Sequence, residues 1–426
     1  MDNSTYDKII ELINREVVPA IGCTEPVAVA LCVAKATELL GKRPESVSLA
    51  LSGNIIKNAM GVGIPGTGMI GLPIAVALGA LVGNSEYGLE VLRDVNDKAI
   101  EDGKKFIDEN RIKIKHHKNP PSNLHIEVEV KAGGDTASAV ISGAHTNFIH
   151  LSKNGVPVHE CGEKLSDADE NTDDIRLTAA MVYEFAMEVP LNKIEFILES
   201  GRMNREAARL ALREDYGHGL GKVIKEKGAT LLGDTPIRHI LAMTSAACDA
   251  RMGGAQIPVM SNSGSGNQGI TATMPVVCYA EDIHASDEQL TRALALSNLT
   301  SIYIKQGLGR LSALCGCVVA STGASAGLVY LMGGGFDEIC SAIKNMVANL
   351  TGMICDGAKP SCAMKITSGV STALMSAMLA MNGKCVSSQE GIVCDDIDRT
   401  VSNLTSIGRE AMTETDHYVL DIMVNK

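Results

Sequence analysis

The first segment with a clear pattern of apolar positions spans residues 5–18, where Ile9, Ile10, Leu12, Ile13, Val17 and Val18 recur at helical spacing. A second helix is predicted from about Pro26 to Leu40. Between residues 111 and 150 the period changes to two. RIKIKHHK, then LHIEVEVK after the breaker NPPSN, then TASAVISG and TNFIHLSKNG read as strands of a small antiparallel sheet. A helix over 87–109 is expected to pack on that sheet. Beyond Asp174 the pattern is helical again, with Leu177, Met181 and Phe185 on one face and Leu210, Leu212 and Val223 further on, interrupted by Pro190 and by Gly-rich junctions. The prediction is an α+β fold, with an N-terminal α/β domain over 1–190 holding the small antiparallel sheet and a mainly helical domain over 191–426.

Two uncharged stretches, residues 59–85 and 311–336, are long enough to cross a membrane but are loaded with Gly and small polar residues. Such runs suit tightly apposed, buried backbone at least as well as lipid. The chain of 426 residues is 45% hydrophobic and 21% charged with only 3% aromatics, so its core must be aliphatic and closely packed. A net charge of -12 without a basic cluster argues against nucleic acid and against anionic membrane surfaces. The expected partners are a small molecule or another copy of the chain. Acidic residues stand in the first segment where an export signal needs a basic and then an apolar run, which points to the cytoplasm. Twelve cysteines in a reducing compartment are no disulfide framework; most should be buried small hydrophobes, leaving a few for metal binding or reaction.

Four short stretches could carry that chemistry. In GCTEP at 22–26, Thr24, Glu25 and Pro26 mark a helix start, which puts Cys23 where backbone N–H groups and the helix dipole favour a thiolate. A buried cysteine beside a helix cap would read the same way. SNSGSGNQG at 261–269 has no aliphatic side chain between the apolar runs IPVM and ITATMPVV, and its hydroxyl, amide and backbone donors suit a carboxylate or phosphate. Its spacing matches neither a P-loop nor a dinucleotide fingerprint. LCGCVV at 314–319 supplies Cys315 and Cys317, and CDGAKPSC at 355–362 supplies Cys355 and Cys362. Residues two apart face opposite sides of a strand and lie about 160° apart on a helix, so one of Cys315 and Cys317 is expected to point away from a shared site. Three sulfurs suit a [4Fe–4S] cluster with one iron left open; a zinc site would want a fourth ligand and a closer pair such as C-x2-C. Small core cysteines in Gly-rich helices remain the alternative.

Taken in order and covering nearly the whole chain, these four stretches resemble the L-cysteine desulfidase family, a relative of the iron–sulfur L-serine dehydratases. The α chain of the dehydratases has a similar C-D-P…P-C segment with a slightly longer interval between its cysteines, and GVGIPGTGMIGLP at 61–73 is similar to a Gly-rich segment of their β portion. The resemblance implies a β-like domain over 1–190 and an α-like catalytic domain over 191–426. It also implies a lyase that uses an oxygen-sensitive [4Fe–4S] cluster rather than pyridoxal phosphate. Cys315, Cys355 and Cys362 would ligate the cluster and Cys23 would be the catalytic base, with Cys315 preferred to Cys317 on its forty-residue interval to Cys355.

In that chemistry the open iron is a Lewis acid, Cys23 takes the α-proton, and Ser261, Asn262, Ser263 and Ser265 hold the substrate carboxylate. L-cysteine would yield pyruvate, ammonia and sulfide, and L-serine is the other substrate this family relationship allows. Three alternatives remain: a pyridoxal phosphate lyase, for which no Lys stands in a Schiff-base motif although Lys359 and Lys365 lie close to the cysteines, a zinc hydrolase, and a non-catalytic binding protein. Two geometric expectations follow. The sulfurs of Cys315, Cys355 and Cys362 should share one pocket, and the helix start at Thr24 should face it together with the 261–269 loop.

Overall fold

A computed structural model describes residues 1–161, 175–309 and 312–425. Eight strands occur among them: β1 (Pro19–Ile21), β2 (Ser46–Leu51), β3 (Ile112–His116), β4 (His125–Ala132), β5 (Asp135–Ser142), β6 (Phe148–Lys153), β7 (Val156–Glu160) and β8 (Pro258–Met260). β2 to β7 form one sheet in the order β3-β2-β4-β5-β6-β7. All its pairings are antiparallel except β2 with β3, so the expected antiparallel sheet is a mixed one. β2 slots between β3 and β4 because its alternation of Val47, Leu49 and Leu51 with Ser and Ala gives it one buried face, matched to Ile126, Val128 and Val130 on β4.

The predicted helix over 87–109 is shorter, Asp97–Asp108. Asn96 caps it, its side chain accepting the Ala99 N–H, and the segment ahead is a 3-10 turn broken by Gly88 at φ 54°. The first helix is Asn3–Glu16, capped by Asp2, and the second is Thr24–Leu40.

Two hydrophobic cores are present. One lies between the buried face of the large sheet and the helices Thr24–Leu40, Leu72–Leu81 and Asp97–Asp108. The other surrounds the helix Gly316–Leu331, against which the helices Gly266–Asp282, Asp287–Leu308, Phe336–Leu350 and Cys362–Met381 pack. Ile9, Leu12 and Ile13 of the first helix, with Val17 at its C-cap, belong to this helical core, not to the sheet core. The Gly-rich, uncharged stretches are buried backbone: within the described residues of 311–336, the Gly316–Leu331 helix is almost wholly enclosed, as is Leu72–Leu81 in the other. The helix Cys362–Met381 is long and apolar enough to cross a membrane by length and composition, and half of it is buried in the fold.

Candidate active site

A pair of three-residue strands assembles the site. β1 and β8 pair antiparallel, Pro19 opposite Met260 and Ile21 opposite Pro258, and the pairing continues through Ser261 N–H to Val18 O (2.8 Å) and Ser263 N–H to Glu16 O (2.9 Å). The chain leaving β1 therefore delivers Cys23 beside the loop leaving β8. Cys23 is the N-cap of the Thr24–Leu40 helix, and Ser265 is the N-cap of Gly266–Asp282, its Oγ accepting from Gln268 N–H. Ser263 and Gly264 follow one another at φ 48° and 76°, a left-handed pair that turns the chain into that cap.

Cys315 is the N-cap of Gly316–Leu331 and Cys362 opens Cys362–Met381, so four helices start at one place. A cavity of about 550 Å³ lies there, between the two cores. It is lined by Cys23, Ser263, Ser265, Cys315, Cys355 and Cys362 and walled on the sheet side by residues 54–58, 122–124 and 143–145. Four helix N-termini concentrate positive partial charge on the cavity, which favours thiolates and anionic ligands.

The cysteine segments are locked together by an isolated bridge between Leu314 and Ile354. Cys315 N–H donates to Met353 O at 2.9 Å and Cys355 N–H to Ala313 O at 2.6 Å. Gly357 explains the glycine in CDGAKPSC. It sits at φ 90°, and a Cβ there would lie 1.9 Å from Lys57 O, so only glycine lets this loop rest on the end of the Gly53–Ala59 helix. Cys362 Sγ approaches Gly357 O at 3.6 Å.

The expectation that Cys317 points away is corrected. Cys317 lines the cavity beside Cys315, its one thiol proton shared between Lys365 O at 3.0 Å and a hydrogen bond to Cys315. The reason is local: Cys315 is extended (φ -64°, ψ 128°) and the helix begins at Gly316, so neither the strand nor the helix period holds across the pair. This hydrogen bond pulls the Cys315 thiol below its ordinary pKa and pushes Cys317 well above. Burial raises Cys355 and Cys362.

Cys23 is 2% exposed, and its ionisation differs from the expected thiolate. Burial pushes it up to about 12, with Arg251 pulling the other way. That arginine, on the helix Pro236–Met252, was missed in the sequence because it belongs to no motif. Its guanidinium donates to Gly22 O and Asn267 Oδ1, each at 3.0 Å, and to Cys23 Sγ at 3.3 Å. Of the four loop residues expected to hold a carboxylate, Ser263 and Ser265 line the cavity. Ser261 and Asn262 do not: Ser261 Oγ donates to Val18 O at 2.6 Å, and Asn262 Nδ2 is spent on Asn298. Asn267 and Gln268 take their place on the wall, and Gln268 Oε1 is buried with no partner among the described residues. Asp356 holds both Lys359 (2.6 Å) and Lys365; burial alone would raise its carboxyl, but the two ammonium groups bring it down to about 2.

The donor set distinguishes between metal groups. Ligands around a single zinc, about 2.3 Å from each sulfur, lie about 3.8 Å apart. Among the described residues no three of these cysteines bring their sulfurs within 4.8 Å of one another. Cys315, Cys355 and Cys362 thus line one cavity without being preset around a single ion, and their thiols are the donor type that an iron–sulfur group takes.

A model of the serine dehydratase alpha chain family matches residues 86–421, a span that takes in the 261–269 loop and all the cysteines of the bridge. A UPF0597 protein of Phocaeicola vulgatus is 61% identical over 422 residues, 99% of this chain and 98% of its own. One of Bacteroides fragilis is 58% identical over 427 residues, the full length of both. Another, of Shewanella pealeana, is 43% identical over 434 residues, again the full length of both.

Proposed function

Because the chain belongs to the serine dehydratase alpha chain family, we propose that it is an iron–sulfur-dependent lyase performing α,β-elimination on a small L-amino acid, with L-cysteine the preferred substrate. The observation that carries the reading is the convergence of Cys315, Cys355 and Cys362 with Cys23 and the 263–268 turn on one cavity at four helix starts. Cys315, Cys355 and Cys362 would hold a [4Fe–4S] cluster. When bound, the cluster supplies a Lewis acid through an iron that no cysteine ligates.

The chain's own residues do the rest. The N–H groups at the start of Gly266–Asp282, with Ser263, Ser265 and Gln268, hold the substrate carboxylate. Cys23 Sγ takes the α-proton, and the adjacent Arg251 guanidinium stabilises the thiolate that must form against the cost of burial. As the C–H pair becomes the Cα–Cβ double bond, the β-substituent leaves with its bonding pair, as sulfide from cysteine. Aminoacrylate then takes up water to give pyruvate and ammonia. Cys23 itself is 2% exposed at the foot of the cavity, beside apolar Ile55 and Leu314 in its lining, and that burial limits solvent competition for the proton.

The pyridoxal phosphate alternative is disfavoured because Lys359 and Lys365 are both ion-paired to Asp356, and a Schiff base needs a free amine. Anaerobic reconstitution with iron and sulfide, followed by assays of pyruvate and sulfide from L-cysteine and of pyruvate from L-serine, tests the proposal. A brown absorbance that bleaches in air and a higher kcat/KM for L-cysteine are expected. A discrete band abolished by borohydride, or no iron uptake, would overturn it.

A further inference from the structure

Outside the cavity, the open face of the large sheet gathers His117, His125 and Glu127, and the geometry points to a second metal site there, for a single first-row divalent cation of which zinc is the foremost. His125 and Glu127 stand two apart on β4 and so share a face. His117 extends β3, its N–H donating to Leu51 O at 2.8 Å, and it reaches the same face across β2. One ligand atom from each lies within 4.8 Å of the others, with His125 Nε2 3.2 Å and His117 Nε2 3.9 Å from Glu127 Oε1. Tetrahedral nitrogen and oxygen ligands about 2.0–2.1 Å from zinc are about 3.3 Å apart, so the three groups close on an ion by side-chain shifts of up to roughly an ångström.

The surroundings are built as metal sites are. His125 is almost fully buried, and its Nδ1 is held at 3.2 Å by Ser142 Oγ, itself 3.0 Å from Ser122 Oγ; this fixes the ring and presents Nε2 to the ion. The Nδ1 of His117 is buried with no hydrogen-bond partner among the described residues, so that ring is not committed elsewhere. Two imidazoles and one carboxylate are a donor set suited to zinc and its neighbours, not to calcium or magnesium. Three protein ligands leave a fourth position for water or a ligand. Ser122, Asn123 and Leu124 run directly from this cluster into the wall of the cavity, so an ion here would brace that wall.

The test uses the full chain with its cluster assembled, titrated anaerobically with Co2+. One equivalent should bind with the visible bands of a tetrahedral nitrogen and oxygen site and without the intense near-ultraviolet absorption of thiolate ligation. His117→Ala and the isosteric Glu127→Gln should each weaken Co2+ binding at least about 100-fold, and Ser142→Ala about 10-fold, all with iron content unchanged. Because Glu127 is half-exposed and the change is isosteric, Glu127→Gln is expected to fold normally. Unchanged binding in both His117→Ala and Glu127→Gln, or a thiolate spectrum, would overturn the site.

Discussion

Arg251 shows how much of the site rests on one side chain with no sequence signature. Its contacts to Gly22, Asn267 and Cys23 tie the starts of two helices together at the Cys23 thiol. Arg251→Gln removes the positive charge that opposes the burial of a Cys23 thiolate. The pKa of Cys23 then rises, less thiolate is present at any given pH, and the ascending limb of the kcat profile should move to higher pH. Since Gly22 O also loses its donor, a stability cost of about 1–3 kcal/mol is expected. A pH–rate profile alongside iron content checks this, with iron unchanged. The cysteines were singled out by the family resemblance of their stretches, since spacing alone left small core residues as an equal reading. Cys317 misled because a helix begins between it and Cys315, and Ser261 and Asn262 misled because a loop's composition does not say which of its members face inward.

Among the elements, long amphipathic segments and alternating strands declared themselves, whereas the three-residue strands β1 and β8 carry no period to read. Yet that pair brings Cys23 to the 261–269 loop across more than two hundred residues of sequence. β2 was readable in principle from SVSLAL; its insertion beside β3 could not be foreseen, because parallel pairing depends on a crossover and not on local pattern. The loop of CDGAKPSC depends on close backbone approach to the Gly53–Ala59 helix. Gly357→Ala should therefore displace the loop, lowering bound iron per chain by at least about half and costing about 1–3 kcal/mol. Iron analysis and a denaturation curve on the same sample measure both effects.

Across the whole molecule, the site is made where two cores meet, and the C-terminal helix Thr413–Asn425 ties them. Its Asp416 pairs with the buried Lys57, a residue on the cavity wall, and its Leu420 packs at Gly53. Asp416→Asn leaves that ammonium without its counter-charge, and a loss of about 3 kcal/mol is expected, at the low end for a broken buried pair because Asp416 meets solvent. Adding Lys57→Met should recover most of it in the same denaturation assay.

In the proposed mechanism Cys23 moves a proton while Cys315, Cys355 and Cys362 hold the cluster. It is tested most directly by measuring iron content and turnover on the same anaerobically reconstituted samples of the parent chain, Cys23→Ser and Cys355→Ser. Cys23→Ser is expected to keep its iron and visible absorbance and to lose turnover by about 100-fold or more, while Cys355→Ser should lose both. Iron lost from Cys23→Ser in step with activity would contradict it, making Cys23 a cluster ligand and leaving the base to another residue of the cavity.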